Sequence, residues 1–453
     1  MNKFYFLSGI LFLLFIIYSC TQDVMNVSNL DIKLENNIRA ASPDNTIDYW
    51  ILADSRDYTN IPQDPKNPLS HEKVELGKNL FFETGIALDP QYEIGKETYS
   101  CSSCHIAESD FKPGRMQGIG DGGVGTGNRG ESRFKSDVYP DAASLDVQGI
   151  RPLTVLNVAY SAKNTNWNGS FGSGNVNEGF EHRFSEDVDE GLSLNKLGFQ
   201  GLETQLMEGF KLHRMKMNPD IADTLGYKPF FDAAFPDDPE DNRYSPKNVA
   251  LAIAAYLRTI NTTEAPFQKW LKGDKYAMTE QEKRGALLFF SKANCTACHA
   301  GPAFSDTRFF AVGVNNLDAL PTFVDEPRAR NKNFGRGFFT GIKEDLHKFK
   351  VPTLYNLTGT PFYFHGSSKR ELRDVVEYFN KAIPENSDVP EEVIATNFKP
   401  LGLSSTEVDD ITIFLGNALD DPNVTRYKPD SLPSGNCFPN NDPVSRQENG
   451  CIE

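Results

Sequence analysis

Two five-residue stretches carry the densest chemistry in this chain: Cys101-Ser102-Ser103-Cys104-His105 and Cys295-Thr296-Ala297-Cys298-His299. Each reads C-x-x-C-H. Two thiols on one short turn can add across the two vinyl groups of a single porphyrin, and the imidazole that follows can then ligate the iron. A thioredoxin-like C-x-x-C does not need that histidine. A four-cysteine zinc site keeps its pairs about 15–20 residues apart, whereas Cys295 follows Cys101 by 194 residues. The two motifs therefore predict two covalently bound haems c, with His105 and His299 as iron ligands.

The elements that must position these motifs are repeated. Gly77-Lys78-Asn79-Leu80-Phe81-Phe82 precedes the first motif, and Gly285-Ala286-Leu287-Leu288-Phe289-Phe290 precedes the second. The first lies in a helix expected over 72–82. The second follows Thr279 and Glu282, which form a capping box. Each half also has a closing helix. Ser245-Pro246 opens one over 247–260, with Val249, Ile253, Tyr256, Leu257 and Ile260 on one face. Ser404 and Glu407 open the other over 408–419. Strong strand patterns are absent. The fold class is mainly α: two cytochrome c-like haem domains with long loops, over 68–264 and 265–425. Seven glycines between Gly118 and Gly130 suit either backbone packed against a haem edge or a flexible surface loop.

Residues 1–19 have a basic Lys3, an apolar run from Phe4 to Tyr18, and a small residue before Cys20. That pattern is a signal peptide, with Cys20 as a lipidated new N-terminus. The expected location is the bacterial periplasm or cell envelope, on a membrane through Cys20. Residues 20–67 are polar without sustained period and read as a tether. Residues 426–453 read as a tail, in which Cys437 and Cys451 form a disulfide in an oxidising compartment. A net charge of −16 argues against nucleic-acid binding.

With these motifs in place, the sequence resembles the bacterial di-haem cytochrome c peroxidase family, which includes the MauG-type enzymes. The likeness runs from about residue 68 to 421. It rests on Val74-Glu75-Leu76-Gly77-Lys78, on 111–123, on Pro152-Leu153-Thr154-Val155-Leu156-Asn157, and on Asn166-Trp167-Asn168-Gly169. It continues through Leu202-Glu203-Thr204-Gln205, Ala265-Pro266-Phe267, Phe349-Lys350-Val351-Pro352-Thr353-Leu354-Tyr355-Asn356 and Phe362-Tyr363-Phe364-His365-Gly366. The resemblance implies that the haem on His105 meets peroxide, that the haem on His299 takes or stores an electron, and that Trp167 lies between them.

Three positions depart from the family. Its distal glutamine matches Gln205, but the glutamate expected ten residues later is Met215. His213 is then either a substitute acid–base group or an iron ligand, and Arg214 a group that stabilises developing negative charge. The usual distal ligand of the second haem falls at Phe379, which cannot ligate. Tyr378 serves after a one-residue shift; otherwise the iron is five-coordinate or borrows His347 or His365. The family's calcium ion uses one asparagine side chain and two carbonyls. The matching positions are Arg151, Thr360 and Phe362, and arginine has no oxygen to donate.

The resemblance therefore implies a peroxidase that reduces hydrogen peroxide to water with electrons from a small cytochrome or cupredoxin, with a homodimer as a further expectation. The alternatives are a MauG-like oxidase of a protein or small molecule, favoured by Tyr378 ligation, and a non-enzymatic electron carrier.

Overall fold

The computed structural model describes residues 28–317 and 331–451. The signal peptide and Cys20 lie outside the described residues. Among these, seven helices have nine residues or more: α1 (Asn29–Ala40), α2 (His71–Phe82), α3 (Gly201–Leu212), α4 (Pro246–Thr259), α5 (Glu280–Phe290), α6 (Leu372–Lys381) and α7 (Ser405–Ile413). The strands are two antiparallel pairs of two residues each, Gly123–Val124 with Phe134–Lys135 and Phe309–Phe310 with Phe349–Lys350. The fold is mainly α. No described helix is long and apolar enough to cross a membrane.

The expected caps form. Ser245 accepts from the Asn248 amide, and capping boxes stand at Thr279–Glu282 and Ser404–Glu407. The closing helix α7 ends earlier than its pattern suggested, at Ile413, and Phe414–Ala418 continues as a π-turn.

Two apolar cores result. The first joins α2, α3 and α4 through residues such as Phe81, Phe82, Phe210, Val249, Ile253 and Tyr256. The second joins α1, α5 and α7 through Leu34, Trp50, Trp270, Phe289, Val408 and Phe414. The repeated glycine does the same work in both. A Cβ on Gly77 would stand 1.9 Å from the Ala252 carbonyl oxygen, and one on Gly285 would stand 2.0 Å from that of Asp410. The opening helix of each half thus crosses its closing helix at backbone contact, which only glycine permits.

Two segments correct the sequence reading. Of the tether expected over 20–67, residues 34–52 contribute to the second core, and Pro62, Asp64 and Asn67 bond to the first half. Asp31 caps α1 by pairing with Ser28, and also accepts from Trp270 Nε1 (2.8 Å) and Lys283 Nζ (3.0 Å). Leu34, Ile38 and Trp50 are fully buried, and the Gln268 amide bridges the backbones of Trp50 and Leu52. The segment looked polar because α1 buries a stripe only two residues wide, while Ile32 faces out.

The tail expected over 426–453 also packs, and against the first core rather than the second. Tyr427 and Leu432 enter that core. Asn440 accepts from Ser103, between the first two cysteines, and Glu448 accepts from the amides of Thr126 and Gly127. The Cys437–Cys451 disulfide closes this segment. Arg133, almost wholly buried, holds the glycine-rich loop through the carbonyls of Ile119, Gly120 and Gly125 and pairs with Asp442.

A docked α1 has a measurable consequence. Leu34→Ala should destabilise the protein by about 2–5 kcal/mol, the usual cost of truncating a buried leucine. Chemical denaturation of the holoprotein followed by circular dichroism reads this; an unshifted midpoint would mean that the segment is a free tether after all.

Candidate active site

Each C-x-x-C-H motif forms a one-turn 3-10 helix, Cys101–Ser103 and Cys295–Ala297. In both, the histidine's Nδ1 faces a backbone carbonyl: His105 that of Phe111 at 3.1 Å, His299 that of Phe304 at 2.9 Å. A carbonyl oxygen only accepts, so Nδ1 carries the proton and Nε2 keeps its lone pair for a metal. Phe111 and Phe304 both sit at positive φ, 54° and 51°, which turns their carbonyls back toward the rings. Burial pushes the His105 imidazole down to about 4 and lowers His299 as well, which favours the neutral ring in both.

Cys101, Cys104 and His105 line one cavity of about 280 Å³, and Cys295, Cys298 and His299 line another of about 570 Å³. The four cysteines form no disulfide. Burial pushes Cys101, Cys104 and Cys295 up to about 12, which keeps them from acting as thiolates. Free thiols beside an imidazole with a bare Nε2, all facing a cavity, fit a covalently attached haem. Of the glycine-rich loop, Gly118 lies hard against the first site, where a Cβ would come within 2.5 Å of Cys104 Sγ.

The first cavity is polar on one side. Gln205 and His213 both line it, Gln205 from α3 and His213 as that helix's C-cap. Gln205 donates through Nε2 to Asn166 Oδ1 (2.7 Å). His213 Nδ1 lies 2.8 Å from Asp146 Oδ2, which leaves Nε2 as the ring atom free to exchange a proton. Burial works against a charged His213, but the Asp146 carboxylate outweighs it and raises the pKa above the ordinary histidine value. Burial likewise works to raise Asp146, and His213 and Arg214 bring it below the usual carboxylate range. Met215 also lines this cavity.

Asp146 was not visible in the sequence. It lies 67 residues before His213, in a stretch with no motif, and only the fold joins the two. Arg214, expected to face the same space, does not line it. Its guanidinium pairs with the buried Asp121 and donates to the Ser144 carbonyl.

The second cavity has a different wall. Phe364, Phe379, Phe398, Val375 and Val376 line it. Tyr378, expected as an iron ligand, does not: its hydroxyl donates to the Val312 carbonyl at 2.5 Å, and its neighbour Phe379 takes the cavity face. Adjacent helical residues point about 100° apart, so the one-residue shift that Tyr378 required does not occur. His347 and His365 both line this cavity; His365 stacks on Phe349 and contacts Asn316 through Nε2.

Trp167 lines both cavities, as do Arg151, Lys350 and the 152–154 segment. The indole Nε1 donates to the Arg151 carbonyl (2.7 Å), and the Trp167 carbonyl accepts from the Lys350 amide (2.7 Å). A single aromatic ring therefore forms part of the wall between the two spaces.

Two C-x-x-C-H motifs thus each line a cavity of their own, and the two cavities share one wall. Comparison with known sequences and folds narrows this. Residues 71–276 match the family model described as di-haem cytochrome c peroxidase. The chain is 27% identical over 381 residues to cytochrome-c peroxidase IdrP1 of Denitromonas iodatirespirans, covering 78% of this chain and 83% of that one. It is 26% identical over 370 residues to the methylamine utilization protein MauG of Methylophilus methylotrophus, covering 79% and 85%. In three dimensions it is similar to a MauG-like protein associated with microbial copper homeostasis, at a TM-score of 0.57 and 22% identity, covering 83% of this chain and 96% of that one. These likenesses set residues 71–276 beside the di-haem cytochrome c peroxidases.

Because the Tyr378 hydroxyl is held outside the cavity, Tyr378→Phe should leave the visible and electron paramagnetic resonance spectra of the holoprotein unchanged. It should cost about 0.5–1.5 kcal/mol for the lost hydrogen bond. A changed low-spin signal would restore Tyr378 as a ligand.

Proposed function

We propose that this protein is a hydrogen peroxide reductase with two covalently bound haems c, one in each helical half. His105 and His299 hold the irons. Hydrogen peroxide, two electrons and two protons give two waters. The haem iron supplies the redox chemistry of O–O cleavage when bound. The chain supplies the proton handling. Neutral His213 takes a proton from the near peroxide oxygen at Nε2 and returns it to the far one, so one group serves as base and then acid. Asp146 holds the ring by Nδ1 and stabilises its charged form, and Gln205, fixed by Asn166, offers an amide to the substrate.

The observation that carries this reading is the company His213 keeps. One cavity gathers the first attachment motif, an amide and a carboxylate-backed imidazole. Trp167, in the wall of both cavities, is the route for electrons from the second haem, which a small cytochrome or cupredoxin would refill. The apolar face at Phe379 and the engaged hydroxyl of Tyr378 weigh against the MauG-like alternative, whose argument in this chain was tyrosine ligation. The order of residues 1–20, a basic Lys3, an apolar run and a small residue before Cys20, supports export to the periplasm and anchoring through Cys20.

His213→Ala should slow the single-turnover peroxide reaction about 10²–10⁴-fold, the usual worth of a general acid–base group. The pH dependence gives a sharper check. If neutral His213 accepts the first proton, the rate rises with pH through its raised pKa. Asp146→Asn removes the raising charge, so the acid limb should move to lower pH while the plateau rate falls. Stopped-flow traces across pH decide this, and an unmoved limb would falsify the pairing.

A further inference from the structure

The position at which this family's calcium ion takes a side-chain oxygen is Arg151, and the residues there do not fit a metal. The guanidinium already takes up the oxygens. Nη1 donates to the Arg115 carbonyl (2.5 Å), and Nη2 donates to the Pro113 carbonyl (3.3 Å) and to Thr360 Oγ1 (2.7 Å). The group is stacked 5.2 Å from the Phe362 ring centre. Arg151 and Thr360 are 3% and 2% exposed. Among the described residues no group of three or more His, Cys, Asp or Glu side chains could hold a metal ion.

We propose that the Arg151 guanidinium is a permanent internal cation in the place of that calcium, so that the two halves of this protein are joined without a metal. The argument rests on matched chemistry. Calcium would draw together six to eight oxygens from separate segments. A guanidinium does the same with a fork of five N–H donors and one fixed charge. Here it ties the 113–115 loop, which follows the first haem motif, to Thr360, which precedes the Tyr-Phe-His segment. The Arg151 backbone extends the tie: its amide donates to the His365 carbonyl (2.9 Å), and its carbonyl takes the Trp167 indole (2.7 Å). One residue thus fixes both halves and the aromatic ring between them.

The surrounding charge also disfavours a divalent ion. Arg370 stacks on the same Phe362 ring at 4.3 Å. Burial, with Arg370 second, works against even the one charge Arg151 carries. A calcium ion would add two more beside two guanidinium groups, with no carboxylate among the contacts of Arg151.

The test uses the holoprotein and does not involve peroxide, so it stands or falls apart from the peroxidase reading. The protein is dialysed against EDTA, then measured with and without millimolar calcium chloride for metal content, unfolding midpoint and visible spectrum. The expected result is no stoichiometric calcium and no change in either readout. One retained calcium per chain, or a midpoint or spectrum that responds to EDTA, overturns the proposal. Arg151→Met, similar in reach but uncharged, should lower the midpoint and slow electron equilibration between the two haems after half-reduction, at unchanged haem content. An unchanged midpoint and equilibration rate would also overturn it. Should that variant fail to fold, Arg151→Lys keeps the charge without the fork; it should equilibrate more slowly than the parent and remain indifferent to calcium.

Discussion

The Glu203–Arg258 ion pair fixes the helix on which the first cavity depends. Both side chains are fully buried, and the guanidinium spans both carboxylate oxygens at 2.8 and 2.9 Å. Arg258 also donates to the Pro62 carbonyl and to Gln200, so every face of the charge is answered. A buried pair of this kind adds little net stability, but losing one partner strands the other at a cost of about 3–5 kcal/mol. Its value here is positional. Glu203 lies on α3, two residues before Gln205, and Arg258 lies in the last turn of α4. α4 in turn meets α2 at Gly77. The rotation of α3, and hence the aim of Gln205 and His213, is set by a charge pair at its far end.

The two halves reuse one plan and diverge at the cavity. Each has a glycine at a helix crossing, a one-turn helix bearing the cysteines, and a phenylalanine at positive φ whose carbonyl holds the histidine. These shared parts suit a covalently attached haem. The parts that differ decide what it meets. The first cavity has an amide, an imidazole and a carboxylate on one wall, which can bind and protonate a small polar oxidant. The second has an apolar stretch of phenylalanine and valine on one wall, with His347 and His365 elsewhere in its lining, and no carboxylate-backed imidazole. The two cavities thus differ in side-chain polarity above an otherwise common frame.

That frame was legible because it is made of local rules. Caps and the C-x-x-C-H turns act within a few residues and stand where the sequence placed them, whereas the repeated glycines were visible and the helix crossings they permit were not. What was missed depends on distance or direction. Asp146 reaches His213 only through tertiary folding. α1 hides a narrow buried stripe in a polar segment and is held by the double use of Asp31. The C-terminal segment has no period because its contacts are mostly backbone and side-chain hydrogen bonds to the first half. Tyr378 failed on direction alone: it is in the right helix, one residue from the face that matters.

Between the cavities, charge explains what the apolar pattern cannot. Lys350 lines both spaces and is buried, yet its ammonium meets only the carbonyls of Asn164 and Ser161, at 3.0 and 3.4 Å. Burial pushes it down to about 8. A buried cation without a carboxylate is costly unless an anion arrives. A haem brings two carboxylates of its own, and Lys350 and Arg151 are the cations that border both cavities. In the free chain such buried charge is costly, and the carboxylates of a bound haem would answer it.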